Sequence, residues 1–252
     1  VDWWEIPGRD DQWKEDTIKA LGSVEAFNQE FGNQFLETGE AAVGDDLFEK
    51  MKLTCTEPKF VFDDGAYKLW EEPNEDSVYV VGVDVAEGVG DNASVVQILD
   101  ITDLTAIKQV AVYHSNTIAP YNFTTKLYEI LQHWGNPPAA IERNNCGAQV
   151  VDHLYNTHGY SNLIHFSPKA TSSTSYASRL GVVAHTNTKY KGVMNMRYWV
   201  NELDAVKIND IRTLSELKAF VRYPNGTWAA RKEANTFDDR VMSLLWALIS
   251  LE

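Results

Sequence analysis

Asp84, Glu142 and the adjacent pair Asp238-Asp239 are the residues whose types and contexts are best suited to chemistry. Asp84 ends the β-branched run 78–83, and a carboxylate at the end of a buried strand is costly unless something positive meets it. No Lys or Arg stands near it along the chain, so a bound cation is the natural counter-charge; the plainer reading is an acid that caps a turn. Glu142 follows the short apolar segment Ala139-Ala140-Ile141, and Asp238-Asp239 opens the apolar run 241–251. Taken singly, Glu142 reads as a surface acid and the pair as a helix cap favoured by the helix dipole. Taken together, clustered carboxylates without basic partners repel one another, and hard divalent cations between them relieve that repulsion. Two such ions ~3.5–4 Å apart can activate a water and stabilise the leaving oxygen of a phosphodiester. No Ser-His-Asp or Cys-His arrangement offers a protein nucleophile instead.

That chemistry requires elements that bring the three points together. Runs 78–83 and 94–99 read as strands joined by an acidic turn in which Gly88 and Gly90 permit a close backbone approach, and 106–115 reads as a third strand in an antiparallel meander. Pro120 starts a helix with Phe123, Leu127, Ile130, Leu131 and Trp134 on one face, stopped by Gly135-Asn136-Pro137-Pro138. A fourth strand, 139–141, delivers Glu142; a helix over 148–156 and a fifth strand over 163–166 follow. The order βββαβαβ is that of a mixed sheet flanked by helices. If its first and fourth strands are neighbours, Asp84 and Glu142 share one edge, and a helix packed across the sheet can bring Asp238-Asp239 there. Further on, the pattern predicts helices over 187–203 and 213–220, a hairpin of 221–223 with 227–229 around Pro224-Asn225-Gly226, and the apolar helix 241–251.

Ahead of the sheet, 11–21 has helical spacing, 23–31 opens on an N-cap pattern, and 32–76 is acidic with few periodic apolar positions, only Phe60-Val61-Phe62 looking strand-like before Asp63-Asp64-Gly65. This divides the chain near Asn74-Glu75-Asp76, with 1–75 an appendage or linker that leans on another body and 76–252 the main domain. The Ser/Thr-rich stretch 167–175 reads as a mobile surface loop. With 252 residues, 44% of them hydrophobic, the chain can bury a sizeable core, and no run approaches the ~18 apolar residues of a membrane span. Cys55 and Cys146 lack metal-ligand spacing and suit a reducing compartment. A net charge of −14 argues against a nucleic-acid partner until its distribution is considered. Residues 1–103 hold 25 acids against 7 bases, whereas 169–240 hold 7 acids against 12 bases. The basic half, with Lys189, Lys191 and Arg197 and with Arg231 and Lys232 past the hairpin, can therefore form a phosphate-binding face.

The segments Val83-Asp84-Val85-Ala86-Glu87-Gly88-Val89-Gly90-Asp91, Ile141-Glu142-Arg143-Asn144-Asn145-Cys146-Gly147 and Phe237-Asp238-Asp239-Arg240-Val241-Met242-Ser243-Leu244, in that order, resemble the nuclease domain of the large terminase subunit of tailed bacteriophages. Pro7-Gly8-Arg9-Asp10 and Phe27-Asn28-Gln29-Glu30-Phe31 are similar to the segment that joins the packaging ATPase to the nuclease in that family. The resemblance implies an RNase H-like fold, here a mixed five-stranded sheet flanked by helices with an extra hairpin and an N-terminal helical or irregular appendage. It implies two bound Mg²⁺ or Mn²⁺ ions and cleavage of concatemeric double-stranded viral DNA at the start and end of packaging. The family's first acid falls on Asp84, its second on Glu142 and its third on the pair, with Asp239 the inner ligand and Asp238 beside it. Asp91 falls where the family often has a further acid near the metals, and Lys189 and Gly192 match a basic patch before its long helix. Phe237 departs from the His found there in many relatives. No GxxxxGK[ST] motif occurs, so the ATPase would lie outside this sequence. The implied partners are viral DNA, the ATPase domain of the same protein, the portal and procapsid, and the small terminase subunit, in the host cytoplasm during virus assembly and with no membrane. A different class of function stays open: an RNase H-like module that only binds DNA or docks on the motor or portal. A resolvase or transposase core is disfavoured by the acidic lead-in and the motifs.

Overall fold

The computed structural model describes residues 8–21, 40–90, 92–166, 180–232 and 236–251. Among these, α1 (Asp11–Leu21) and α2 (Asp45–Lys52) precede the short strands β1 (Phe60–Phe62) and β2 (Tyr67–Leu69). Then come β3 (Tyr79–Asp84), β4 (Ser94–Asp100), β5 (Ile107–Ser115), α3 (Pro120–His133), β6 (Ala139–Ile141) and α4 (Gly147–Asn156). The rest is β7 (His165–Phe166), β8 (Gly181–Val182), α5 (Thr186–Arg197), β9 (Val206–Lys207), α6 (Ile211–Ala219), β10 (Phe220–Arg222), β11 (Trp228–Ala230) and α7 (Asp239–Ile249). No described helix is long and apolar enough to cross a membrane.

The chain forms two units, Val1–Glu40 with Arg222–Gly226, and Ala41–Val221 with Thr227–Glu252. In the first, α1 occupies the span its periodicity predicts; its Trp13 N–H is capped by the Asp10 carboxylate at 2.8 Å. The helix expected over 23–31 and the Ser/Thr-rich loop 167–175 lie outside the described residues.

The second unit is built on a mixed sheet of seven strands in the order β1-β2-β5-β4-β3-β6, with β9 parallel to β5 beyond the end of β2. β3, β4 and β5 form the expected antiparallel meander, and β6 runs parallel to β3 in the register Val83↔Ile141. Five strands were expected. β1 occupies the strand-like stretch 60–62, outside the five strands expected for the sheet, whereas β2 and β9, two or three residues long, were missed because so short a span reveals no alternation. The expected fifth strand contributes only a bridge from Leu163 to Ala139, and its last two residues pair with β8 instead. Residues 41–75, read as appendage, belong to this same unit: β2 pairs with β5, and Leu69 and Trp70 are buried. The compact division thus falls at 40/41 and not near 75.

The alternation of β3 explains the two layers. Val80, with Leu99 and Ile107, faces the cluster formed by α5, α6 and α7, whereas Val81 and Val83, with Val96, Ile98 and Val110, face α3 and α4. α7 is buried along its whole length, which is why its sequence is apolar on every side. It lies directly on β3: a Cβ on Gly82 would come 1.9 Å from the Ser243 carbonyl oxygen and 2.4 Å from the Ala247 nitrogen, so only glycine fits there. The helix expected over 187–203 is α-helical to Arg197 and then widens into a π turn, Tyr198–Glu202, closed by the Leu203 N–H on the Tyr198 carbonyl at 2.9 Å. Asn201 leaves that turn to donate to the Ala42 carbonyl at 2.9 Å.

Candidate active site

Parallel pairing of β3 with β6 brings Asp84 and Glu142 to one edge of the sheet. Asp84 is the last residue of β3; Glu142 directly follows β6 and donates its N–H to the Val83 carbonyl at 3.0 Å. The third point arrives from above. Gln97, buried in the middle of β4, donates to the Arg240 carbonyl at 2.8 Å, and the Asp239 carboxylate accepts the Ala93 N–H at 2.9 Å through Oδ2. The first turn of α7 is thereby tied to the same strand end.

The charges of the three acids are poorly compensated. Asp84 is held well above the usual carboxylate range, by loss of water first and then by Glu142, Asp239 and Asp238; the Val85 N–H opposes this. Glu142 is raised by burial, against the Trp246 indole, the Lys189 ammonium and a hydrogen bond with Asp84, all of which favour its ionised form. Burial also pushes Asp239 up to about 6, against the Ala93 N–H and Arg240, with Glu216 and Asp238 adding to the rise. Three acids driven toward protonation at one edge are what a site short of positive charge produces.

Lys189 partly fills that shortage. Its Nζ lies 3.5 Å from Asp238 Oδ2 and 5.4 Å from the centre of the Phe220 ring. The expectation that no basic residue stands near Asp84 holds along the chain, but α5 folds back over the edge and brings Lys189 beside the acidic cluster in space. Asn144, two residues after Glu142, fixes that return: its amide donates to the Ala184 carbonyl at 2.7 Å and accepts the Ala184 N–H at 2.9 Å. His185 then caps α5 by accepting the Thr188 N–H.

Among the described residues no three His, Cys, Asp or Glu side chains close around one point as a complete metal cage. The donors still fit a hard divalent cation of the magnesium kind, which binds through one or two carboxylates and keeps water or phosphate oxygens in its other positions. Asp91, the further acid expected near the metals, lies outside the described residues. Lys191, two residues and about half a turn beyond Lys189 on α5, is exposed, and Lys232 is exposed beyond β11. Arg197 sits two turns further along α5, its guanidinium 5.5 Å from the centre of the Trp228 ring, and the Arg231 N–H donates to the Ala219 carbonyl at 2.9 Å. These cations are thus spread along α5 and the β11 exit, not gathered at the acids.

Two contacts escaped the sequence reading. The Trp246 indole N–H donates to Glu142 Oε2 at 3.0 Å, and Glu216 holds Arg240 through both its backbone N–H and its guanidinium, at 2.8 and 2.6 Å. The first had a signal, since Trp246 stands seven residues after Asp239 and so on the same helical face. The second joins residues 24 apart on two helices and leaves no local trace.

An antiparallel three-stranded meander with a parallel fourth strand beside its first, acids at the ends of both, and helices on each face define the RNase H-like class of nucleases and their relatives. A family described as the terminase RNase H-like domain matches residues 81–251, and the chain belongs to that family. Among solved structures it is similar to the large terminase nuclease from thermophilic phage G20c with bound magnesium, at 20% identity and a TM-score of 0.57 over 81% of this chain and 96% of that one. The same nuclease with bound cobalt aligns at 19% identity and a TM-score of 0.58, over 81% and 96% of the two chains. The large terminase nuclease domain of Thermus phage P74-26 aligns at 18% and 0.51, over 80% and 93%. At these identities the likeness establishes the shared fold.

Proposed function

We propose that this chain is the metal-dependent endonuclease domain of a viral DNA-packaging terminase, and that it cuts concatemeric double-stranded DNA to generate genome ends. The observation that carries the reading is the convergence of Asp84, Glu142 and Asp239 on one sheet edge with all three driven toward protonation. Membership of the terminase family supports it, as do the related nucleases solved with magnesium and with cobalt. Asp84, Glu142 and Asp239 would hold two Mg²⁺ or Mn²⁺ ions, with Asp238 and Asp91 as further candidate ligands. Such ions, when bound, supply an activated water and a counter-charge for the leaving oxygen of the phosphodiester. Asp238 keeps Lys189 beside the acids, where its ammonium can meet a phosphate as well as the carboxylates. Lys191, Arg197, Arg231 and Lys232 would extend that contact along the DNA backbone. In the whole protein the segment ahead of the sheet would lead from the ATPase domain, with the portal, procapsid and small terminase subunit as further partners in the host cytoplasm.

Plasmid cleavage by the purified chain in Mg²⁺, Mn²⁺ or EDTA tests the reading, with Asp84→Asn, Glu142→Gln and Asp239→Asn as variants. Each should fold, bind DNA and cut more than about 100-fold more slowly, beyond what loss of an outer support costs; Asp238→Asn should be milder. Near-normal cutting by Asp84→Asn, its fold verified by circular dichroism, would sink the two-metal assignment. The cations spread along α5 and the β11 exit, away from the acids, suit a second reading, a DNA-binding or docking module. DNA binding by the parent chain without cutting in any metal would select it.

A further inference from the structure

Glu142 and Asp239 flank Asp84, and each already has one carboxylate oxygen engaged by a protein donor. The Trp246 indole holds Oε2 of Glu142 and the Ala93 N–H holds Oδ2 of Asp239. Trp246 is fully buried, on the helix whose first residue is Asp239, so one rigid element delivers one acid and orients the other. Its donor is neutral: it fixes the carboxylate without adding a charge that would compete with a cation.

We propose that Trp246 is a positioning residue that restricts Glu142 to one ligating oxygen and so biases the acidic centre toward small cations, Mg²⁺ or Mn²⁺, over Ca²⁺. The proposal rests on the metal-centre reading above. Ca²⁺ gathers about 6–8 oxygens and readily takes both oxygens of one carboxylate, whereas Mg²⁺ accepts a strict octahedron built from few carboxylates and several waters. With Oε2 committed to the indole and Oδ2 of Asp239 to Ala93, the flanking acids offer one oxygen each. That supply suits an octahedron completed by water and phosphate, and leaves a larger ion short of ligands.

Isothermal titration of the full chain with MnCl₂ and with CaCl₂, in the absence of DNA, gives the ratio of the two affinities. Trp246→Phe keeps most of the ring and removes the donor. Mn²⁺ affinity should fall by about 10–100-fold, as it does when the outer support of a metal ligand is lost, and Ca²⁺ affinity should fall by less or rise, moving the ratio toward Ca²⁺. A merely structural role would weaken both ions alike, so an unmoved ratio overturns the proposal while leaving the metal centre intact. Glu142→Asp, which keeps the charge but draws the carboxylate back from the indole, carries the test if the phenylalanine variant does not fold. Its ratio should shift the same way, and an unmoved ratio overturns the proposal. Failure of the parent chain to bind Mn²⁺ at all overturns the metal-centre reading and this inference with it.

Discussion

Asp84 concentrates the electrostatic tension of the site, because burial and three neighbouring acids all oppose its ionisation. Removing that charge relieves repulsion, so Asp84→Asn in EDTA at pH 7 should melt above the parent even as it stops cutting. A lower melting temperature would show that Asp84 stabilises the metal-free fold. Asp239 gives a pH signature. Its folded pKa of about 6 lies above its ordinary 3.8, so the folded state binds the proton more tightly, and the stability this contributes below pH ~4 is lost as pH rises through 6. His114 acts in the opposite sense: burial and then Arg240 push it down to about 4, so it costs stability as pH falls from 6.5 toward 4. The quantity to measure is therefore the difference between parent and Asp239→Asn in thermal melts from pH 4 to 7 without metal. The parent should lose stability relative to the variant as pH rises; a constant difference would contradict the assigned shift.

At the scale of elements, the site depends on how closely α7 lies on the sheet. Gly82→Ala would drive a methyl group into the α7 backbone, and backbone cannot rotate aside as a side chain can. Overpacking of this kind costs about 1–3 kcal/mol or more, with about 2–4 °C of Tm per kcal/mol for a domain this size. Because α7 carries Asp239, cutting should fall further than the Tm shift implies; a variant with parental Tm and activity would show that the helix is free to lift. Beside it runs a buried polar network. Gln109 donates to Gln97 at 2.6 Å and accepts the Asn209 and Asp210 N–H groups at 2.9 and 2.7 Å, while Glu216 neutralises Arg240. Glu216→Ala would leave the Arg240 guanidinium, which is 8% exposed, with Asp210 Oδ2, 3.4 Å from its Nε, as its remaining carboxylate partner among the described residues, and should cost less than the about 3–5 kcal/mol of a fully unpaired buried charge in urea unfolding. Glu216→Gln, which can still hydrogen-bond, should cost less.

Over the whole molecule, a chain of net charge −14 has to meet a polyanion through local features. The basic half supplies these along α5 and the exit of β11, and divalent ions at the acidic edge would remove the remaining repulsion. Affinity for a DNA duplex, measured on the Asp84→Asn background so that cutting does not intervene, should fall with salt. The slope of log K against log salt concentration should shrink by about 0.9 for each phosphate contact removed. Lys191→Ala and Lys232→Ala, both exposed, should each lower it by that amount. Unchanged slopes in both variants would move the DNA path off this face.

Local rules carried the reading a long way: α1, the meander, the proline-started helix α3 and the fully apolar α7 are all written in periods of 2 or 3.6 and in turn residues. The acids Asp84, Glu142 and Asp239 could be singled out because each interrupts or ends an apolar run, where a charge is costly. The short strands β2 and β9 were illegible, since their residues show no strand pattern of their own and β5 selects them as partners. The counter-charges were illegible for a related reason. Lys189 reaches Asp238 across 49 positions, Trp246 reaches Glu142 across 104, and Arg240 meets Glu216 across 24. By itself the sequence determined which residues had to be buried and which charges would need an answer. Only the tertiary structure decided what answers them, because a carboxylate's pKa and ligating geometry depend on whatever lies within a few ångströms, and folding brings that neighbourhood together from distant parts of the chain.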